Sequence, residues 1–302
     1  MIGETEQRNP RSAHIDLLST KDVLTLINQE DQLVPQVIGQ PEVLTAITAV
    51  VDAVDRVIAN GGRVFYAGAG TSGRLGVLDA AETVPTYGVS PDLFQSLIAG
   101  GDQAMVKAVE GAEDSVALGR EDLIKRNFTA KDFLLGIAAS GRTPYVIGAL
   151  DYAHELGAVT GALSCNHHAK ISAHADLPIE VVVGPEVVTG STRMKAGTAQ
   201  KLVLNMISTT SMIHAGKVYG NLMVDVLPTN QKLVQRAKGI IQAATDCSDE
   251  VAADYYERAG HHPKLAIVML LTQQDADSAQ ALLDACGGRI AQAVLAAHGG
   301  KA

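Results

Sequence analysis

Two hydrophobic patterns alternate along the first 230 residues of the chain. Short runs that are almost wholly apolar, such as "DFLLGIAA" at residues 132–139, predict buried strands. Longer segments with apolar residues three or four positions apart predict helices, as at residues 42–60 before a Gly-Gly pair. Apolar strands that alternate with helices are typical of a parallel sheet covered on both faces. We therefore predict an α/β fold built as a three-layer sandwich.

The same patterns place each element along the chain. Residues 1–20 are expected to form an irregular arm, and helical spacing begins at Lys21. Strands are predicted at residues 63–67, 92–99, 132–139, 159–165 and 177–183. Further helices are predicted at residues 73–82, twice within 103–125, before Gly157 and at 198–215.

The pattern changes after Asn230, where no clear strand remains. Helices are predicted at residues 233–245, 249–259, 264–271, 276–286 and 290–297. We therefore predict a main domain over residues 1–247, with its arm, and a small helical appendage over residues 248–302.

Composition narrows the class of protein. Of the 302 residues, 47 % are hydrophobic and 19 % charged, which is enough apolar material for a sizeable core. The formal net charge of −9 argues against non-specific nucleic-acid binding. The three cysteines are widely spaced, so neither a zinc site nor a disulfide framework is expected. No signal peptide and no apolar run of roughly 18 residues are evident, so we expect a cytoplasmic protein without a membrane contact.

A glycine-rich loop follows the first predicted strand. Residues 68–73, "GAGTSG", match the GxGxxG pattern of dinucleotide-binding proteins. That function needs an acidic residue about 20 positions further on, and "LFQSLIAGG" ends without one. The hydroxyls of Thr71 and Ser72, beside free N–H groups at a helix start, suit a phosphate monoester instead. A tight turn with an ordinary N-cap is the plain alternative.

Two more polar clusters repeat this design. "SGRT" at residues 140–143 follows another strand, and "TGSTRMKAGTAQK" precedes the long helix. Clusters at the carboxyl ends of parallel strands can converge at one edge of the sheet, so we predict one phosphate site. Its expected residues are Gly70, Thr71, Ser72, Gly73, Arg74, Ser140, Gly141, Arg142, Thr143, Ser191, Thr192 and Lys195.

These motifs resemble a known family. A strand followed by "SGRT" and a helix resembles the phosphosugar-binding signature of the sugar isomerase (SIS) fold. "AGAGTSGRLGVLDAAE" and "GSTRMKAGTAQKLVLNM" are similar to the N-acetylmuramic acid 6-phosphate etherases, as are "TEQRNPRSAHIDLLST", "GAED" and "NLMVDV". The likeness covers nearly the whole chain. It departs at "TVPTYG", where the family has something close to "CPPTFG", and at "HHP" in the tail.

The resemblance implies a lyase that removes D-lactate from carbon 3 of a 6-phosphorylated sugar by elimination and water addition. It implies no cofactor, and it assigns Glu82 as proton donor to the lactate and Glu113 as the second acid/base group. It also implies a homodimer with the site near the interface. From the residues alone, Glu82 opposes the dipole of its helix, while a solvated surface position is the plain alternative for both glutamates.

Two other functions stay open from the sequence. An aldose–ketose isomerase would use the same phosphate loops with a single carboxylate base. A non-catalytic sugar-phosphate sensor would need neither glutamate. No metal is expected, because the histidine pairs at 167–168 and 261–262 are adjacent, and neighbouring side chains do not face one ligand.

Overall fold

The computed structural model describes residues 3–228 and 230–300. Its central sheet has five strands, all parallel, in the order β2-β1-β3-β4-β5. In the register, Gly68 at the end of one strand lies beside Ile98 on one side and Ile137 on the other. The strands are β1 (Val64–Gly68), β2 (Phe94–Ile98), β3 (Phe133–Ile137), β4 (Val159–Ser164) and β5 (Leu177–Glu180).

Helices cover both faces of this sheet, which confirms the predicted α/β sandwich. Phe65 and Leu134 enter a core with α5 and α6. Tyr66 and Ile137 point to the opposite face, where a Cβ on Gly76 of α4 would contact them. The helices are α1 (Thr20–Asp31), α2 (Leu33–Ile38), α3 (Pro41–Ala59), α4 (Gly70–Tyr87), α5 (Val116–Lys125), α6 (Pro144–Glu155) and α7 (Lys195–His214).

Two glycines let α5 and α6 cross at very short range. A Cβ on Gly119 would lie 2.0 Å from the carbonyl oxygen of Tyr145, and a Cβ on Gly148 would lie 1.9 Å from that of Val116. No side chain fits at either position, so the main chains of the two helices touch. This contact fixes the start of α6, which borders the site described below.

Most predicted elements occur within a few residues of their expected bounds. The first of the two helices expected within 103–125 was a wrong prediction, because that segment forms only a 3₁₀ turn at Asp102–Met105. Glycines with positive φ at 100, 101 and 111 flank it and interrupt helical geometry. The arm is more regular than expected, since it forms 3₁₀ turns at Glu4–Glu6, Pro10–Ser12 and Ile15–Leu17.

The chain divides into two compact units. The first comprises Met1–Ala81 with Pro91–Ser208, and the second comprises Glu82–Ser90 with Thr209–Ala302. The second unit has its own core, in which Tyr256, Ile267 and Val268 are buried. Its elements are a hairpin of β6 (Val218–Tyr219) and β7 (Leu222–Met223), and the helices α8 (Gln231–Thr245), α9 (Asp249–Arg258), α10 (Pro263–Thr272), α11 (Ala276–Ala285) and α12 (Ile290–Ala297).

All five helices of this tail were predicted, whereas the hairpin was not. Two strands of two residues each are too short to produce a repeating hydrophobic pattern. The predicted domain boundary between residues 247 and 248 stays a prediction.

Among the described residues, no single helix is long and apolar enough to cross a membrane. One pair, Thr20–Ile38 with Pro41–Ala59, passes that test by length and composition, but it is bent by 63°. The second member of the pair, α3, packs against β1, β3 and β5 of the sheet.

Candidate active site

A pocket of about 490 Å³ opens beyond the carboxyl ends of β1 and β3. From β1 the chain continues to β2 at one edge of the sheet, and from β3 it continues to β4 and β5 on the other side. The loops after these neighbouring strands diverge, and such a switch point is where open α/β sheets bind ligands. The pocket is lined by Glu6, Ala69, Gly70, Thr71, Ser72, Glu113, Asp114, Ala138, Ala139, Ser140, Arg142, Thr143, Pro144 and Thr192.

The first loop brings the start of α4 to the pocket. Gly70 adopts a φ of +52°, which a residue with a side chain rarely takes up. Thr71 and Ser72 follow in the first turn of α4, where main-chain N–H groups precede the helix's own hydrogen bonds. The helix dipole adds partial positive charge at this end. This wall of the pocket is therefore suited to an anion without containing a cation.

The second loop brings the start of α6 to the same pocket. Gly141 has a φ of +67° and leaves no room for a Cβ, which would lie 2.4 Å from the Cβ of Ala169. Its turn exposes Ser140 and Arg142 on either side, and Pro144 begins the helix, where proline is well tolerated. A second helix N-terminus thus faces the pocket, as the repeated Ser-Gly motif predicted.

Glu113 is fixed to the start of α6 by two hydrogen bonds. The hydroxyl of Thr143 donates to its Oε1 at 3.1 Å, and the N–H of Tyr145 donates to its main-chain carbonyl oxygen at 3.0 Å. Thr143 is the N-cap residue of α6, yet its side chain makes no capping bond to that helix. The buried hydroxyl of Thr143 therefore orients a carboxylate in the pocket lining in place of capping its own helix.

Of the third polar cluster, Thr192 lines the pocket but Lys195 does not. The Lys195 side chain is only 1 % exposed, and its Nζ donates to Glu30 Oε2 at 2.7 Å. Arg11 binds the same carboxylate. Burial by itself would raise the pKa of Glu30, but the hydrogen bonds from Arg11 and Lys195 outweigh it and lower the pKa to about 2. The Lys195 side chain is therefore held inside the protein by Glu30 and does not line the pocket.

Two other residues predicted to bind phosphate, Gly73 and Arg74, contact other parts of the protein and not the pocket. Gly73 packs so closely on β1 that a Cβ would lie 2.7 Å from the carbonyl oxygen of Gly68. Arg74 donates to the main-chain carbonyl oxygens of Met105 and Ala104, at 2.9 and 2.8 Å. Gly73, Arg74, Gly141, Ser191 and Lys195 do not line the pocket, so their assignment as ligand contacts has no support in its geometry.

Glu82 is exposed on α4 and is not among the residues that line the pocket. It follows Gly70 by about three helical turns. Asp79, one turn before Glu82, points into the protein instead, where it accepts hydrogen bonds from the hydroxyls of Tyr66 and Ser208 at 3.0 and 3.1 Å. Burial raises the pKa of Asp79.

Two charged residues of the lining, Glu6 and Asp114, were not predicted as site residues from the sequence. Glu6 lies 136 residues before Arg142, its partner in the pocket, and only the family likeness of the arm pointed toward it. With Glu113, these residues give the lining three carboxylates against one guanidinium, that of Arg142. Hydroxyls, main-chain N–H groups and helix dipoles are therefore the main features of this lining that favour an anion. Within residues 3–228 and 230–300, no three His, Cys, Asp or Glu side chains form a metal-binding group.

The fold and the two Ser-Gly loops define a class, the α/β proteins with an SIS domain. The profile of the glucokinase regulatory protein N-terminal SIS domain matches residues 43–154. The fold resembles that of a candidate phosphosugar isomerase involved in capsule formation from Bacteroides fragilis NCTC 9343. The TM-score is 0.51 at 18% identity, and the match covers 67% of this chain and 95% of that one.

Sequence relatives give the particular family. The chain is 58% identical over 293 residues to N-acetylmuramic acid 6-phosphate etherase 2 of Lactiplantibacillus plantarum, covering 96% of this chain and 97% of the relative. It is also 58% identical over 290 residues to the N-acetylmuramic acid 6-phosphate etherase of Exiguobacterium sp., covering 96% and 98%. The chain therefore belongs to the N-acetylmuramic acid 6-phosphate etherase family.

Proposed function

We propose that the protein is a carbon–oxygen lyase that cleaves the D-lactyl ether of N-acetylmuramic acid 6-phosphate. The products are N-acetylglucosamine 6-phosphate and D-lactate, and the reaction serves the recycling of cell-wall sugars. The observation that carries this proposal is Glu113, an exposed carboxylate that Thr143 holds in the lining of a pocket formed by two helix N-termini. A cytoplasmic location is supported by the three unpaired cysteines, as is usual in a reducing compartment.

The phosphate is proposed to bind between the starts of α4 and α6. Thr71, Ser140 and Thr192 supply hydroxyls there, whereas the hydroxyl of Ser72 is bound to Gln200. The first N–H groups of both helices point to the same side of the sheet. The lining contains three carboxylates, so this neutral set of donors carries most of the attraction for a dianion. The sugar ring then extends from the phosphate toward Glu113.

The chemistry requires a base at carbon 2 and an acid at the ether oxygen. Opening of the sugar ring exposes an aldehyde, which makes the hydrogen on carbon 2 acidic. Glu113 takes that proton, the electron pair forms a double bond between carbons 2 and 3, and the bond from carbon 3 to the lactyl oxygen breaks. Glu82 protonates the departing oxygen. Water then adds across the double bond, with its hydroxyl on carbon 3 and its proton on carbon 2.

We further propose a homodimer whose pocket lies near the interface and receives Glu82 from the second copy. Two observations support this. Glu82 is exposed and does not line the pocket of its own chain. In addition, the lining of that pocket contains a single cation, whereas the substrate carries a phosphate and a carboxylate.

The first experiment is a D-lactate release assay with N-acetylmuramic acid 6-phosphate. We expect release by the wild type and a loss of about 10²–10⁴-fold in kcat for Glu113→Gln, the size of one acid/base contribution. Glu110→Gln is the matched control, because Glu110 is exposed three residues earlier and does not line the pocket. No release by a folded wild type that still binds the sugar phosphate would contradict the lyase and favour a sensor.

A mixing experiment tests the shared site. If each pocket combines Glu113 of one copy with Glu82 of the other, mixed dimers of Glu82→Gln and Glu113→Gln contain one intact pocket. Random reassociation of the two inactive variants should then restore about a quarter of wild-type activity. If both glutamates act within one chain, the mixture stays inactive, and the shared pocket is wrong.

A further inference from the structure

One side chain in the lining of the pocket, that of Glu6, comes from the N-terminal arm. Arg142 donates from Nη2 to Glu6 Oε1 at 3.3 Å, across 136 residues of chain. The other carboxylate oxygen lies beside the third loop, since a Cβ on Gly190 would be 3.4 Å from Glu6 Oε2. Glu6 therefore lies between two of the loops that form the pocket.

The arm that carries Glu6 is anchored on both sides of it. Thr5 and Asn166 exchange two hydrogen bonds, at 3.1 Å from the Thr5 N–H and 3.0 Å from Asn166 Nδ2. Asn166 Nδ2 also donates to the carbonyl oxygen of Ala139, which lies in the wall of the pocket. On the far side, Asn9 Nδ2 donates to the carbonyl oxygen of Pro185 at 3.3 Å. Glu6 is thus held in place before any ligand arrives.

The charge of Glu6 opposes the charge of an incoming anion. Arg142 is the one cation among the residues that line the pocket, and its side chain is 61 % exposed against 36 % for Glu6. A small anion drawn to the guanidinium has to compete with the carboxylate that already accepts from it. A sugar phosphate differs, because its hydroxyls can donate hydrogen bonds to a carboxylate at this position.

We propose that Glu6 is a specificity-determining residue of this pocket, which disfavours small free anions such as inorganic phosphate and favours phosphates that carry a hydroxylated sugar. This inference rests on the proposed function for the identity of the sugar phosphate. Its physical basis is the pairing of Glu6 with Arg142 and the anchoring of the arm by Asn166. The role requires no chemistry at Glu6, since the carboxylate acts by charge and as an acceptor.

The test is a comparison of binding by calorimetry at constant ionic strength. Dissociation constants are measured for inorganic phosphate and for N-acetylglucosamine 6-phosphate, with the wild type, Glu6→Gln and Glu4→Gln. In Glu6→Gln we expect inorganic phosphate to bind about threefold more tightly, the effect of one exposed charge pair. We expect the sugar phosphate to bind no more tightly than to the wild type, so the ratio of the two constants falls.

Glu4 lies in the same 3₁₀ turn but does not line the pocket, so Glu4→Gln should leave both constants unchanged. In an Arg142→Met background, the effect of Glu6→Gln on phosphate binding should become smaller, because only direct repulsion by the Glu6 charge remains and the competition for the guanidinium is gone. Equal or weaker phosphate binding by Glu6→Gln, the same change in Glu4→Gln, or an undiminished effect without Arg142 would each overturn the inference. A merely structural role would weaken both ligands together. Binding is measured without turnover, so absence of lactate release would count against the lyase and not against Glu6.

Discussion

The two Ser-Gly-Arg motifs have the same sequence and opposite roles. In the first, Arg74 donates to two main-chain carbonyl oxygens at Ala104 and Met105 and lies outside the pocket. In the second, Arg142 is exposed, lines the pocket and pairs with Glu6. One arginine stabilises a turn of the fold, and the other is available to a ligand.

The difference comes from where each helix begins. α4 begins at Gly70, so its Ser-Gly-Arg lies in the first helical turns, and Ser72 turns inward to Gln200 with a hydrogen bond of 3.0 Å. α6 begins only at Pro144, so the second Ser-Gly-Arg stays in the loop and Gly141 takes a positive φ. A three-residue motif therefore predicts a tight strand-to-helix connection, and the helix start decides which side chains reach the ligand.

The largest expected effect concerns Lys195, the third cation predicted to bind phosphate. Like Arg74, Lys195 binds other groups of the protein and does not line the pocket. Glu30→Gln should lower the free energy of unfolding by about 3–5 kcal/mol at pH 7, because it leaves Lys195 buried without its charged partner. The contribution of Glu30 should be complete above its ordinary pKa and disappear as the pH falls from about 4.5 toward 2, since folding lowers that pKa.

Urea unfolding between pH 7 and pH 3 measures this difference. The exposed Glu42→Gln is the control, and we expect a change of less than about 0.5 kcal/mol for it. A Glu30→Gln protein as stable as the wild type at pH 7, but weaker in sugar-phosphate binding, would assign Lys195 to the ligand and contradict the comparison.

The next effect concerns the close contact behind the first loop. Gly73→Ala should lower the free energy of unfolding by about 2–3 kcal/mol, because the added Cβ would lie 2.7 Å from both the Gly68 carbonyl oxygen and Ile98 Cγ1. Gly239→Ala in α8 is the matched control, since nothing lies within 4 Å of its Cβ position, and it should be neutral or slightly stabilising. Equal melting temperatures for the two variants would show that the first loop has room to shift.

Exchange of each arginine for methionine separates the two motifs directly. Arg74→Met should lower the free energy of unfolding by about 1–2 kcal/mol through its two lost hydrogen bonds, with little change in the intrinsic affinity for sugar phosphate. Arg142→Met should do the reverse and weaken that affinity about tenfold at unchanged stability. Thermal unfolding measures the stability of both variants, and calorimetry measures their affinity for sugar phosphate. A loss of affinity in Arg74→Met with a loss of stability in Arg142→Met would show that the roles are interchanged.

The smallest effect concerns the two serines. Ser72→Ala should lower the free energy of unfolding by about 1 kcal/mol, because it removes the partner of the buried Gln200 amide oxygen. Gln200 Nε2 has no partner among the described residues, so the amide would then be wholly unpaired. Ser140→Ala should leave stability unchanged and weaken phosphate binding only. Equal stability of the two variants would contradict the expected difference between Ser72 and Ser140.

The sequence predicted the sheet and the convergence of its loops, because apolar strand runs and Ser-Gly loop motifs can each be recognised from a few neighbouring residues. It could not distinguish Arg74 from Arg142, since the two carbonyl groups that bind Arg74 lie about 30 residues away in a segment expected to be helical. It assigned Lys195 to the phosphate because a basic residue beside hydroxyls suits an anion, whereas its buried partner, Glu30, is 165 residues earlier. The sequence pattern cannot predict the role of a residue whose partner lies far away in the sequence.

The anchoring of the arm also has a consequence for biosynthesis. Thr5 is synthesised before its partner Asn166, which follows 161 residues later. At ordinary rates of translation the arm waits about 10–30 seconds for that partner. A nascent chain therefore has no complete pocket until the third loop, which carries Thr192, has also emerged, and recognition of the sugar phosphate has to wait for that loop.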